Sequence, residues 1–578
     1  MGMLTWLDSP SLDTGIYFAS DDANPVWSFA SYADLAGDAL RTASLLRRHG
    51  LERNGVVSIL LPEPRDFLPA FYGALAAGGT PSPMATPLTF RSFDQYKQHV
   101  ADILHASEPA LVLVDPALAD LVRAAVAARE LRAVVLEFHA GLADGEEAGP
   151  PGLLADFALL QFTSGSSGTP KGVQVSATNL TDNIAAIGAR SEVTRDDTFV
   201  SWLPHYHDMG LIGVLLQMAT FGVNLRLLKP VQFVRSPIAW LRSLGQDGAT
   251  ATVAPSFGYA YAARRVRPED LEGFDFSRWR MAAIAAERTD PVGIRKFVEL
   301  AEPHGFSPKA FQVAYGLAEA TLGVSSTRIG KPIRMVQLEQ SALRDDEPVV
   351  IAQESVLGAP VSEGNWLVSC GTGDKTIRPE IIDGNGDPLP ELRHGQIRVH
   401  GSSVAHGYRA APHAQTSTSF HDGVLDTGDT GFMLDGELYV IGRMGDSIKV
   451  RGVKLFAEDL DVKIGLSAGL RIGRHAAILG TVGSTDVVSV IVESPDSAWL
   501  PAVKSVLSSV TSENIGVAVF RGEAGAIERT SSGKPRRRVL WQRLLDGELP
   551  VELVHTNWGD VATGPHPWPT RERAASPA

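Results

Sequence analysis

The chain has a single cysteine, Cys370, among its 578 residues. No internal disulfide can form, which suits a reducing compartment, and a cytoplasmic location is the expectation. Positive charge is also scarce. Lys and Arg number 52 against 66 Asp and Glu, leaving a formal charge of −14. General nucleic-acid binding needs a basic footprint, so no nucleic-acid partner is expected. A single nucleotide remains open, because a local pocket can be positive on an acidic protein. Long apolar runs are missing too. The nearest to a membrane span is the charge-free stretch between Asp208 and Arg226, which Gln217, Thr220 and Asn224 interrupt. It is short for a bilayer and reads as a buried helix running into a strand, so no transmembrane segment is expected. The opening MGMLTWLDSP lacks a basic region followed by an apolar core, and Trp6 stands where a myristoylation pattern needs Ser or Thr. Neither a secretory leader nor that lipid is expected. No long internal repeat is present.

What the chain does have is an ordinary globular balance, 44% hydrophobic and 20% charged, at a length that allows several domains. From about residue 50 to 320 short apolar runs, among them Val56–Leu61, Ala110–Val114, Phe157–Phe162, Phe199–Leu203 and Met281–Ala286, alternate with helical patterns such as Arg91–Ala106 and Pro291–Pro303. That alternation predicts an α/β fold with largely parallel sheets. Ligands in such sheets bind beyond the carboxyl ends of strands. Residues 326–366 show few clear periods. Short strands between Gly, Asp and Pro turns predict a β-rich stretch over 378–442, and near Gly445 the chain passes to a smaller unit. The expected division is a large N-terminal domain of parallel and mixed sheets with helices and a small β-rich subdomain (1–443), a small mobile α+β C-terminal domain (444–553) and a flexible tail (554–578), where Pro565, Pro567, Pro569 and Pro577 stand among small and charged residues.

Residues 161–173, QFTSGSSGTPKGV, follow the apolar run Phe157–Phe162. Gly165, Gly168 and Gly172 let backbone approach a polyphosphate, Thr163, Ser164, Ser166, Ser167 and Thr169 bring hydroxyls, and Lys171 brings a charge. It is not a Walker loop, since Pro170 and Gly172 flank the lysine. Alone, such a loop is usually a flexible surface segment, so the case rests on what lies downstream.

Four downstream segments bear on it. In SWLPHYHDMGLIG (201–213), His205, His207 and Asp208 invite a metal reading, but Asp208 is directly adjacent to His207 and no further histidine follows; a structural or substrate-gating role fits better. In VAYGLAEATLGVS (313–325), Tyr315 suits stacking on a base, Gly316 admits a planar ring, and Glu319 suits Mg2+ on phosphates. In LDTGDTGFMLDGELYVIGRMGDSIKVRG (425–452), Asp429 reads as sitting in a tight turn at a strand end, where its carboxylate can accept both hydroxyls of a ribose, and Arg443 follows on the next strand. A plain β-hairpin turning at Asp435-Gly436 is the alternative. In ERTSSGKPRRRVL (528–540), Lys534 stands in a Ser/Gly turn of what is otherwise a basic run.

In this order the segments resemble the adenylate-forming superfamily of acyl-CoA synthetases, peptide-synthetase adenylation domains and firefly luciferase, over roughly residues 25–550. Within it the chain is most similar to fatty acyl-AMP ligases, on WLPHYHDMGLIG, on YGLAEATLGVS and on a long segment, Gly330–Asn365, that would be an insertion running up to LVSCG. The resemblance implies that ATP and a carboxylic acid, expected to be a fatty acid, give acyl-AMP and pyrophosphate, after which a thiol displaces AMP. It implies an acyl carrier protein as acceptor, with coenzyme A as the alternative and a non-catalytic acyl-nucleotide or carrier-binding protein as a reading of another class.

Carried over residue by residue, Lys534 would bridge the substrate carboxylate and the α-phosphate. Residues Thr163, Ser164, Gly165, Ser166, Ser167, Gly168, Thr169 and Lys171 would hold the β and γ phosphates, with Glu319 and Thr163 assisting Mg2+. Asp429 and Arg443 would fix the ribose, and Ala286, Tyr315 and Gly316 would form the adenine slot. His207, Asp208 and Met209 would stand at the acyl entrance, His207 also close to the chemistry. Gly445 and Asp446 would be the hinge about which the small domain turns. Several positions depart from the family pattern. Ala285-Ala286-Glu287-Arg288 stands for Gly-Ala-Glu-Pro, Gly395-Gln396-Ile397 for Gly-Glu-Ile, Gly445 for Asp or Lys, and VKLFAEDLD (453–461) for an Arg-Asn-containing segment. The clusters Arg536–Arg538 and Arg264, Arg265 and Arg267 would suit an acidic carrier protein, but a solvated basic face explains each cluster better.

Overall fold

The computed structural model describes residues 2–22, 24–87, 93–163, 170–339, 348–361, 364, 366–409, 417–450, 453–471, 473–482, 485–512, 514–530 and 533–558. The fold is mixed α/β. Its central sheet has eight strands, in the order Gly323–Ser326, Phe311–Gly316, Met281–Ile284, Ala251–Ala254, Thr198–Ser201, Asn224–Leu227, Gly15–Ala19 and Trp27–Ser31. Neighbours pair in parallel except at the two edges, where Gly323–Ser326 and Trp27–Ser31 run antiparallel. A second sheet, Thr80–Pro83, Val56–Leu60, Leu111–Val114 and Val134–Glu137, is parallel throughout. Every residue of Val56–Leu60 is buried, as expected of a parallel strand covered on both faces.

The helices begin where their sequences supply caps. Ser31 and Asp34 exchange hydrogen bonds at the start of Tyr32–Arg48, and Ser176 and Asn179 do so at Ala177–Arg190. Asp290 followed by Pro291 opens Pro291–Ala301.

The phosphate-type segment does not lie on a parallel strand. Leu159–Thr163 and Lys171–Val175 are antiparallel, with Thr163 opposite Lys171, and Tyr408–Arg409 adds a third strand. Residues 164–169 of the segment lie outside the described residues.

The stretch expected to be β-rich is so. Ile377–Ile382, Gly395–Gly401, Val424–Leu434 and Ser419–His421 form one sheet, and Glu437–Arg443 pairs with Val424–Leu434. The stretch without clear periods contains a small sheet of its own, ordered Ile351–Val356, Arg334–Leu338, Trp366–Val368. Its Val336 and Leu367 share a core with Phe456.

Residues beyond 446 build a hairpin, Ser447–Val450 and Val453–Phe456, then a four-stranded sheet of His475–Val482, Thr485–Glu493, Gly516–Gly522 and Val551–Thr556. On the central strand Val488, Val490 and Val492 face one core with helices Ala457–Ala468 and Leu500–Val510, whereas Val487 and Ile491 face another with Leu540 and Leu544. This is period-2 alternation on a strand covered on both sides. The last strand runs to Thr556, three residues past the expected boundary at 553. Residues 559–578, most of the expected tail, lie outside the described residues. No helix among the described residues is long and apolar enough to cross a membrane.

Candidate active site

Strand ends and turns from several sheets bring the residues named by the sequence together. Lys171 is buried at 6% exposure, its ammonium 5.2 Å from the centre of the Tyr408 ring. The Tyr408 hydroxyl donates to Glu319 Oε1 at 2.6 Å. Burial holds the Lys171 pKa below its usual value; Glu319 opposes this, and Arg443 and Arg538 reinforce it. The two arginines therefore stand close enough to add to one positive field, which is what a polyphosphate requires.

Tyr315 donates its hydroxyl to Asp429 Oδ2 at 2.7 Å, and Arg443 Nε donates to Oδ1 at 3.0 Å. Asp429 is not in a turn at a strand end. It lies inside Val424–Leu434, directly across from Arg443 on the neighbouring strand, and cross-strand pairing brings their side chains together. The charge of Asp429, beside that of Glu319, raises the Arg443 pKa against its burial. Gly316 is required by space, since a Cβ there would lie 1.9 Å from the Leu322 carbonyl oxygen. Facing this strand, Ala286 holds φ at +74°. That region is costly for a side chain and is found where a site fixes its backbone.

The third group lies in the segment after Thr198–Ser201. His205 turns inward, donating from Nε2 to the Leu61 carbonyl at 2.9 Å, and burial lowers its pKa to about 4. It is a neutral core histidine and does not join His207 as a ligand. His207 Nδ1 lies 2.6 Å from Asp208 Oδ1. Burial lowers the His207 pKa, but the charge and hydrogen bond of Asp208 outweigh it and leave the value raised. Asp208 is lowered despite burial, by His207, by the Met209 backbone N–H and by Lys534. Met209 is buried behind them, in the turn that opens a wide π-type helical stretch, Leu211–Leu216. The charge-free stretch is thus a buried helix leading into Asn224–Leu227.

Thr530 and Lys534 close a tight hairpin, with Thr530 N–H on the Lys534 carbonyl at 2.8 Å and Lys534 N–H on the Thr530 hydroxyl at 3.1 Å. The lysine side chain is exposed. Its charge acts on His207, Asp208 and Glu287 together. Glu287 accepts from the Phe257 N–H at 2.6 Å, and burial raises its pKa to about 6, with that hydrogen bond and Lys534 pulling it down and Asp290 pushing it up.

Two positions differ from expectation. Arg537 is not a docking surface: it is buried against Asp461 at 2.7 Å, Glu458 at 3.0 Å and Asp446 at 3.7 Å. Arg536 pairs with Glu528 at 3.6 Å, so neither offers a free basic face. At Gly445 a Cβ would meet the Arg538 guanidinium at 2.4 Å, so the guanidinium occupies the space a side chain would take. Of the other basic cluster, Arg264 and Arg265 are exposed and Arg267 pairs with Asp270. The sequence reading also missed Tyr408, which backs both Lys171 and Glu319; its place beside Lys171 depends on its pairing with Val173, across more than two hundred residues. Burial pushes the Cys370 thiol up to about 12, so it stays protonated and is no nucleophile.

A protein family described as AMP-binding enzyme matches residues 19–409. The chain belongs to that family. Among its relatives in the family, a putative acyl-CoA synthetase of Caulobacter vibrioides is 34% identical over 516 residues, 88% of each chain. JamA of Moorena producens, named a medium-chain-fatty-acid–[acyl-carrier-protein] ligase, is 28% identical over 90% of each. A solved structure from work on the fatty acyl-adenylate ligases of E. coli and L. pneumophila superposes with a TM-score of 0.82 at 28% identity, covering 94% of this chain and 97% of that one. Family membership makes this chain one of the AMP-forming ligases. Among the described residues no group of three or more His, Cys, Asp or Glu side chains is arranged to hold a metal ion. Glu319 is a carboxylate that would suit a hard cation such as Mg2+ on a nucleotide's phosphates.

Proposed function

We propose that this protein activates a fatty acid with ATP and passes the acyl group to the phosphopantetheine thiol of an acyl carrier protein. One observation carries the adenylation step. The charge of Lys534 acts on the His207–Asp208 pair and on Glu287, and those of Arg443 and Arg538 act on Lys171. A carboxylate attacking a triphosphate is anion meeting anion, so the barrier is lowered chiefly by fixed positive charge. A carboxylate oxygen of the acid bonds to the α-phosphorus as the bond to the pyrophosphate oxygen breaks. Lys534 bridges the acid and the α-phosphate, and Lys171 and the residues 163–169 grip the leaving pyrophosphate; Glu319 and Thr163 would hold a Mg2+ ion, which would offset phosphate charge. Asp429 and Arg443 fix the ribose, against the Ala286, Tyr315 and Gly316 wall for the base. His207, Asp208 and Met209 border the acyl entrance. The thiol sulfur then bonds to the acyl carbon and AMP leaves with the electron pair.

In this reading residues 1–443 are the body of the enzyme, 444–553 with the rest of its last strand are the mobile part, and Gly445 and Asp446 are the hinge. The carrier protein as acceptor draws support from JamA, whose name specifies that acceptor, and from the Arg334–Leu338 sheet packing on Phe456 of the mobile part. The Caulobacter relative's name favours coenzyme A as the second reading. Labelled fatty acids of graded length, ATP and either holo carrier protein or coenzyme A separate the two. Thioester formed with the carrier and not with free coenzyme A is the expected result; efficient acyl-CoA formation sinks the carrier reading. Absence of adenylation with every acid would leave the fold as an acyl-nucleotide binder.

A further inference from the structure

The loop after strand Met281–Ile284 sends its side chains in two directions. Glu287 turns inward to the Phe257 N–H, within reach of the Lys534 charge. The next residue, Arg288, turns outward. Its Nη1 donates to Asp459 Oδ1 at 2.5 Å, and its Nη2 to the Trp366 carbonyl at 3.3 Å. Asp459 stands in the first turn of helix Ala457–Ala468, on the unit that carries Lys534. The side chains are 19% and 11% exposed, so most of their hydration is gone and each needs the other. The clamp is therefore anchored one residue from a group on which the Lys534 charge acts, and its far end is on the body that presents Lys534. The Asp446–Arg537–Glu458–Asp461 network, by contrast, ties the hinge turn Met444–Asp446 to its own unit.

We infer that Arg288 and Asp459 are positioning residues, an ion pair that clamps the two units in the orientation where Lys534 reaches the substrate carboxylate. Neither side chain touches the reacting atoms. The inference rests on the adenylation reading above, in which Lys534 serves the first step and not the second. The pair must open before the small unit turns for thiol transfer, so removing it slows the first step and leaves the second unhindered.

The test uses the full chain with Arg288→Ala, Asp459→Asn, the double variant and Arg288→Lys. ATP–pyrophosphate exchange at saturating acid should fall roughly tenfold in kcat in each single variant, as expected for breaking one member of a coupled pair. The KM for ATP should stay within about twofold, because the Lys171 and Asp429 walls are untouched. The double variant should be no worse than the poorer single, and Arg288→Lys should recover most of the rate. Transfer from supplied acyl-AMP to the thiol acceptor should be undiminished. Unchanged exchange, losses that multiply in the double variant, or equal loss in both half-reactions would overturn the clamp. Hydrogen–deuterium exchange gives a readout free of activity. Backbone amides of 457–468 and 528–536 should exchange faster in Arg288→Ala than in the unaltered chain, with the central sheet unaffected; equal rates would reject the clamp even if the adenylation reading itself failed.

Discussion

Tyr315 and Arg443 hold Asp429 from two sides, the hydroxyl at 2.7 Å from one carboxylate oxygen and the guanidinium Nε at 3.0 Å from the other. They fix a carboxylate that is oriented before any ligand arrives. Asp429→Asn keeps the shape but loses the charge that Arg443 and a ribose diol both use. The variant should raise the KM for ATP by about tenfold or more, the scale of a charge-assisted hydrogen bond, with kcat less affected. Steady-state exchange kinetics at varied ATP measure it.

Lys534→Ala removes a cation and nothing from the nucleotide walls. Adenylation should drop by at least about a hundredfold, as for loss of one electrostatic contact to the transition state. ATP affinity by calorimetry should remain within a few-fold. Unchanged exchange would remove Lys534 from the chemistry.

Glu287 makes stability depend on pH in a defined direction. Its folded pKa is raised to about 6, mainly by burial. Between the unfolded value and about 6 the folded state binds more protons, so stability falls as pH rises through that window and the cost stays in force above it. Glu287→Gln keeps an acceptor for the Phe257 N–H and removes the charge. Its melting temperature should match the unaltered protein near pH 4.5 and exceed it above pH 7. A parallel pair of curves would contradict the assignment.

Gly316 tolerates no side chain. A Cβ at 1.9 Å from the Leu322 carbonyl oxygen and 2.8 Å from its carbon must displace backbone. Gly316→Ala should cost about 3 kcal/mol or more, the range of severe steric and backbone changes, read by chemical denaturation of the purified variant.

Much of this was legible in residue order, and the exceptions have physical causes. Buried parallel strands such as Val56–Leu60 are short apolar runs, and helices such as Pro291–Ala301 carry their caps. The strand Arg334–Leu338 is not legible because Met335 and Val336 enter different cores, so adjacent residues are both buried and the alternation disappears. Its partner Ile351–Val356 is largely exposed and shows no apolar stripe. Motif spacing names Lys171, Glu319, Tyr315, Asp429 and Arg443, and the fold brings these five together. Spacing is silent on pairs made across units. Arg537 looks like one of three solvated arginines until Glu458 and Asp461 are folded onto it, and Arg288 looks like a stray substitution until Asp459 reaches it.

The central claim is that this pocket joins a carboxylic acid to AMP. Carboxylate-dependent exchange of labelled pyrophosphate into ATP, run with a panel of fatty acids from short to long chain, tests it most directly. The account predicts exchange with at least one acid, dependent on Mg2+ and lost in Lys534→Ala. No exchange above the acid-free rate with any member of the panel, from folded protein that still binds ATP, would contradict it.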